Sequence, residues 1–183
     1  MSQSRRKQMR PFRQGALDGL CGAYSIVNAI RAVCPELTDD HSEYLFTALM
    51  TFVGERGRAP VDVVCYGLGK RLLRGGIRIA IDYTSQELAI GLRERQLKIV
   101  GKPTVARLWR LLAEELGPNS VAIVGLSGRE NHWTVAIEGT ERQLRLLDSG
   151  KRRVLRRSAC TLRHDPNQVV LAEREIIIIE RLD

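Results

Sequence analysis

The sequence predicts an α+β domain, helical in its first half and built on a largely antiparallel sheet in its second. Two observations carry that reading. Apolar residues recur at helical spacing through most of the stretch from Cys21 to Leu116. After Gly117-Pro118-Asn119 they alternate in short runs separated by turn residues. A third observation sets the scale: 183 residues suffice for one domain with a sizeable core, and no internal repeat divides them.

The elements follow in order. Residues 1–13 are expected to form a flexible basic arm, with one folded domain over 14–183. From Cys21 the apolar positions Ala23, Ile26, Val27, Ile30 and Val33 define a helix that Pro35 ends. Thr38, with Asp39 and Asp40, caps a second helix whose buried face is Leu45, Ala48, Leu49 and Phe52. Pro60 opens a third, with a stripe of Val61, Val64, Cys65, Leu68 and Leu72. Gly75-Gly76 reads as a break. Alternation of Ile77, Ile79, Ile81 and Tyr83 then predicts a strand, and residues 86–97 a short helix. Pro103 opens a better helix, with Val105, Leu108, Trp109, Leu112 and Leu116 on one face. Strands are expected at Val121–Leu126, Trp133–Ile137, Gln143–Leu147, Arg153–Arg156 and Glu175–Arg181.

Composition excludes several classes. No apolar run approaches the ~20 residues that span a bilayer, so no membrane is expected. The basic start has no apolar segment behind it, which predicts a protein that stays in a cytosol. Cys21, Cys34, Cys65 and Cys160 are irregularly spaced with no Cys-x-x-Cys pair, which disfavours both a zinc site and a disulfide framework. Neither metal nor cofactor is required. The net charge of +8 comes largely from arginine, including Arg142, Arg145, Arg152, Arg153, Arg156 and Arg157. Such a surface attracts acidic partners. No aromatic residues are interleaved with the arginines, so nucleic acid is not favoured.

The chemistry-bearing residues fall at element boundaries. Cys21 stands where its helix begins, and a helix N-terminus offers partial positive charge and unpaired N–H groups that favour a thiolate. His132 opens a strand beside Trp133. Asp148 ends the next strand, sixteen residues on, at Asp-Ser-Gly. A short turn at Gly139–Arg142 makes those strands a hairpin and brings His132 and Asp148 to one end of it. Gln14, with the backbone N–H of Cys21, is the candidate oxyanion donor. Asp18, Gly22, Asn131 and Trp133 are candidate cleft residues. Cys34, Cys65 and Cys160 read as packing, His41 as part of a cap and His164 as loop.

These motifs resemble the papain-like cysteine peptidases, most closely those that process bacteriocin leaders and occur also as free-standing relatives. The residues that carry the resemblance are Gln14, Cys21-Gly22, His132-Trp133 and Leu147-Asp148-Ser149, spanning residues 14 to about 160. Two features depart from the family pattern. Gln14 lies seven residues before Cys21, one more than usual, and Leu20 stands where an acid is expected, with Asp18 upstream. The resemblance implies a papain-like fold, its nucleophile helix packed on the antiparallel sheet. It also implies a Cys21–His132–Asp148 triad that hydrolyses a peptide bond in a protein substrate through a thioester. A bacterial toxin or effector, delivered into a target cell's cytoplasm and restrained by a cognate immunity protein, would suit a small free-standing enzyme. The same intermediate also serves a transglutaminase or glutamine deamidase. From another class, the chain reads as a non-catalytic basic binding module.

Overall fold

A computed structural model describes residues 9–15 and 18–182, and the chain is α+β. Helix α1 (Cys21–Val33) is apolar almost all round, as a helix enclosed on every side must be. Helix α2 (Asp39–Glu55) begins in a reciprocal cap, where Thr38 Oγ1 accepts from the His41 N–H and His41 Nδ1 accepts from the Thr38 N–H. Helix α3 (Pro60–Tyr66) is short because Gly67 turns the backbone to φ +76°. Helix α4 (Lys70–Leu88) follows at once. The strand β1 (Leu92–Gln96) and helix α5 (Val105–Glu115) precede the main sheet segment.

That segment contains β2 (Ser120–Gly128), β3 (His132–Gly139), β4 (Gln143–Leu146), β5 (Val154–Arg156), β6 (Cys160–Thr161) and β7 (Val169–Arg181). Strand order is β1-β7-β2-β3-β4-β5, antiparallel throughout, with β6 alongside β7 in parallel. The run Ile176–Ile179 lies in β7, between β1 and β2, and is buried on both faces. Ile177 and Ile179 join α1, α2 and α4 in one core, and Ile176 and Ile178 join α5 in the other. This two-sided burial explains four consecutive isoleucines where a one-faced strand would alternate.

Several expectations are corrected. Residues 70–88 form one helix, with no break at Gly75-Gly76 and no strand at 77–83. Its buried stripe is Leu73, Gly76, Ile77, Ala80 and Thr84. A Cβ on Gly76 would stand 2.9 Å from Ile26 Cδ1 and from Leu49 Cδ2, so this glycine serves close approach of α4 to α1 and α2. In place of the short helix expected at 86–97, helix α4 ends at Leu88 and strand β1 follows, pairing with β7 from Leu92↔Arg181 to Gln96↔Ile177. The third helix buries Val63 and leaves Val61 and Cys65 exposed, because Gly67 ends it before Leu68. The strand expected at Glu175–Arg181 begins earlier, at Val169.

Of the basic arm, residues 1–8 lie outside the described residues, whereas 9–13 are tied to α1. The buried Asn28 side chain receives the Phe12 N–H at 2.8 Å and donates to the Phe12 carbonyl at 3.1 Å. The Arg31 guanidinium covers the Phe12 ring at 4.3 Å. Among the described residues, no helix is long and apolar enough to cross a membrane.

Candidate active site

Three separate segments converge where α1 meets the sheet. Cys21 is the first residue of α1, and its sulfur receives the Trp133 backbone N–H at 3.5 Å. Ser25, one turn further, donates to the Trp133 carbonyl at 2.9 Å, so α1 is bonded to β3 at two successive turns. No side chain caps α1 at Leu20. The N–H groups of a helix's first turn have no acceptor within the helix.

His132 opens β3, and its Nε2 lies 2.6 Å from Asp148 Oδ1. With Nε2 committed to Asp148, Nδ1 is the nitrogen left to interact with Cys21, whose thiol also donates to the Gly19 carbonyl at 3.8 Å. The His132 side chain is 18% exposed and that of Asp148 only 2%. The order is therefore thiol, partly shielded imidazole, buried carboxylate. Burial works against a charge on His132, but hydrogen bonds to Asp148 and Cys21 overcome it and push its pKa up to about 10. Burial likewise opposes the Asp148 charge. His132, the nearby Thr134 hydroxyl and the Arg152 N–H, 3.2 Å from Oδ2, nevertheless hold this carboxyl below its usual range. His132 thus carries its proton at neutral pH, between a carboxylate and a thiol.

A cleft of about 420 Å³ opens over this group. Gln14, Asp18, Asn131 and Trp133 line it, as the sequence suggests. Gln14 is pinned to the loop that carries Asp148: its N–H donates to the Ser149 carbonyl at 3.1 Å, and its Oε1 accepts from Ser149 Oγ at 3.1 Å. Its Nε2 donates one hydrogen to the Asp18 carbonyl at 3.2 Å and keeps a second. Asp18 sets the entry turn by accepting from the Gly15 N–H at 2.6 Å and the Leu20 N–H at 3.1 Å. Trp133 belongs mainly to the core, with its indole N–H on the Leu68 carbonyl at 2.8 Å.

Gly22 is a correction. It does not line the cleft, because it is buried against Leu68, whose Cβ a Gly22 side chain would meet at 2.9 Å. Cys65 is another: it reads as packing, yet it is exposed and lines the cleft with Tyr66, Gly67, Leu68, Gly69 and Lys70. Gly19 donates to the Val64 carbonyl at 2.6 Å, which ties the end of α3 to the loop that leads into Cys21. No local pattern in the sequence marks Ser149 as the anchor of Gln14, or Glu175 of β7 as a cleft residue. Both emerge only when the sheet closes.

Among the described residues, no cluster of three or more His, Cys, Asp or Glu side chains is placed to hold a metal ion. No protein-family model matches the chain, and no curated protein matches it in sequence.

Proposed function

We propose that this protein is a papain-like cysteine peptidase acting on a protein substrate, with Cys21 as nucleophile. The observation that carries the proposal is the His132–Asp148 contact of 2.6 Å, made by an imidazole that shares its cleft with Cys21. A protonated imidazole beside a thiol at a helix N-terminus is the arrangement that stabilises a thiolate.

The steps follow from the groups in place. The Cys21 thiolate attacks the scissile carbonyl carbon, and the carbonyl electrons move to oxygen. The Cys21 N–H and the second hydrogen of Gln14 Nε2 are the donors for that oxyanion. His132 then passes its proton to the leaving amine, and the C–N bond breaks to leave a thioester on Cys21. Water, deprotonated by the now neutral His132, releases the acid and restores the thiolate–imidazolium pair. Asp148 holds the ring's orientation and favours its charged form throughout.

The test is alkylation by iodoacetamide at about pH 6, read by intact mass and peptide mapping in wild type and His132→Ala. Ordinary thiols, with pKa about 8.5, are mostly protonated there. Both proteins carry Cys65→Ser, because Cys65 is also exposed. Fast labelling confined to Cys21 and lost in His132→Ala is expected. Equal, slow labelling with and without His132 would sink the peptidase reading.

A further inference from the structure

One carboxylate in the cleft has no task in the chemistry above. Ile123 of β2 pairs with Ile177 of β7 on one side and Val135 of β3 on the other. Two residues along, Gly125 pairs with Trp133, and the Glu175 side chain of β7 lies beside Gly125. The β2–β7 register shifts between Val124 and Leu126, so β7 bulges here. The Lys70 ammonium and Gln96 Nε2 both bond the Arg174 carbonyl, which fixes the bulge. Gly125 has no side chain, and Glu175 folds into the space this leaves. A Cβ on Gly125 would meet Glu175 Oε2 at 2.6 Å and Trp133 Cζ3 at 3.1 Å.

Glu175 therefore lies against Trp133, the residue after His132, on the wall of the cleft that holds Cys21. It makes no hydrogen bond or ion pair with any described residue. Glu94, Glu115, Glu130, Glu138 and Glu180, by contrast, each pair with an arginine. Asp18 gives both oxygens to backbone N–H groups, and the Lys70 ammonium donates to the backbone carbonyl of Arg174.

We infer that Glu175 is a specificity-determining residue, which receives a lysine or arginine side chain of the substrate near the scissile bond. The inference rests on the peptidase reading. A partly shielded carboxylate rewards a cationic partner and penalises a neutral or anionic one. Gly125 supplies the room, since any side chain there would displace Glu175.

The test is cleavage of a synthetic peptide mixture, with cut sites read by mass spectrometry, by wild type, Glu175→Gln and Glu175→Lys. Wild type is expected to favour Lys or Arg within a few residues of the cut by about 10-fold, the scale of a hydrogen bond to a charged group. Glu175→Gln removes the preference, and Glu175→Lys turns it toward Asp or Glu. A preference unchanged in Glu175→Gln overturns the inference and leaves the peptidase reading standing.

A second measurement needs no turnover. In a Cys65→Ser background, Cys21 is modified with a cationic and a neutral methanethiosulfonate. The cationic-to-neutral rate ratio is expected to fall several-fold in Glu175→Gln. An unchanged ratio overturns the inference even if no peptide in the mixture is cut. Failure of the His132-dependent alkylation test, by contrast, removes the reading beneath it.

Discussion

Cys21 and Cys160 are both buried thiols, and each lies near an acid–base pair: His132–Asp148 for the first, Arg152–Glu130 for the second. Cys160 sits on the two-residue strand β6, where its thiol donates to the Arg156 carbonyl at 3.3 Å. Burial pushes its pKa up to about 11, and the opposing influences of Arg152 and Glu130 do not reverse that. Cys21 differs in contact rather than in burial. Its sulfur interacts with an imidazole that holds a proton, and it lies at the start of a helix beneath an open cleft. The difference between the two thiols is therefore the company they keep: a charged pair at a distance for Cys160, and for Cys21 a proton-bearing imidazole that is itself charged by a buried carboxylate.

The largest way to break that contrast is Asp148→Asn. Without the carboxylate, the His132 pKa falls from about 10 toward the ordinary imidazole range near 6.5. The sign follows from the proton His132 must donate: activity needs the imidazolium, so it is lost as pH rises through the His132 pKa. Wild-type peptide hydrolysis should therefore persist to about pH 10. In Asp148→Asn the alkaline limb should move down by several units, with kcat near pH 8 reduced about 10³-fold. Full pH–rate profiles check this. An unmoved limb would show that Asp148 does not charge His132.

Gln14→Ala tests the other side of the contrast, the cleft that Cys160 lacks. Removing one oxyanion donor should lower kcat about 10²-fold with KM little changed. His132-dependent alkylation should survive, because alkylation develops no oxyanion. If alkylation and hydrolysis fall together, Gln14 acts by holding the Ser149 loop rather than by facing the substrate. Ser149→Ala, which removes the hydroxyl donated to Gln14 Oε1 and leaves the amide in place, separates the two.

How legible the molecule was differs sharply between these segments. The start of α1 at Cys21, the opening of β3 at His132 and the hairpin placing Asp148 beside His132 could all be read from local pattern. Each is set by short-range physics: a polar turn before an apolar stripe, an alternation, and a tight turn. Helix α4 was not legible, because Gly75-Gly76 breaks a helix by propensity and its Ile77–Tyr83 alternation mimics a strand. Those glycines are kept by contacts with Phe52, Ile26 and Leu49, residues 23 to 50 positions away in sequence. Strand β1 is likewise imposed from outside, by the edge of β7 at Ile177–Arg181. Glu175 and Ser149 belong to the same class, since their roles depend on rows and loops that long-range pairing assembles.

The smallest expected effect lies at Cys160 and concerns stability alone. Its thiol has a pKa of about 11 in the folded chain and an ordinary value near 8.5 when unfolded. A pKa raised on folding gives stability that is fully present below the unfolded value and is lost as pH rises through the folded one. Between pH 8.5 and 11 the unfolded chain therefore gains from ionising this thiol while the folded chain does not. Cys160→Ala removes that slope. Measured by denaturant midpoints at pH 7.5 and 10, wild type should lose about 2 kcal/mol more than the variant over this interval. At pH 7.5 the alanine variant should be slightly the less stable of the two, from lost packing. Identical pH dependence in both proteins would mean that Cys160 ionises as freely folded as unfolded. The contrast with Cys21 would then rest on the His132 contact alone, and burial would have no part in keeping the second thiol silent.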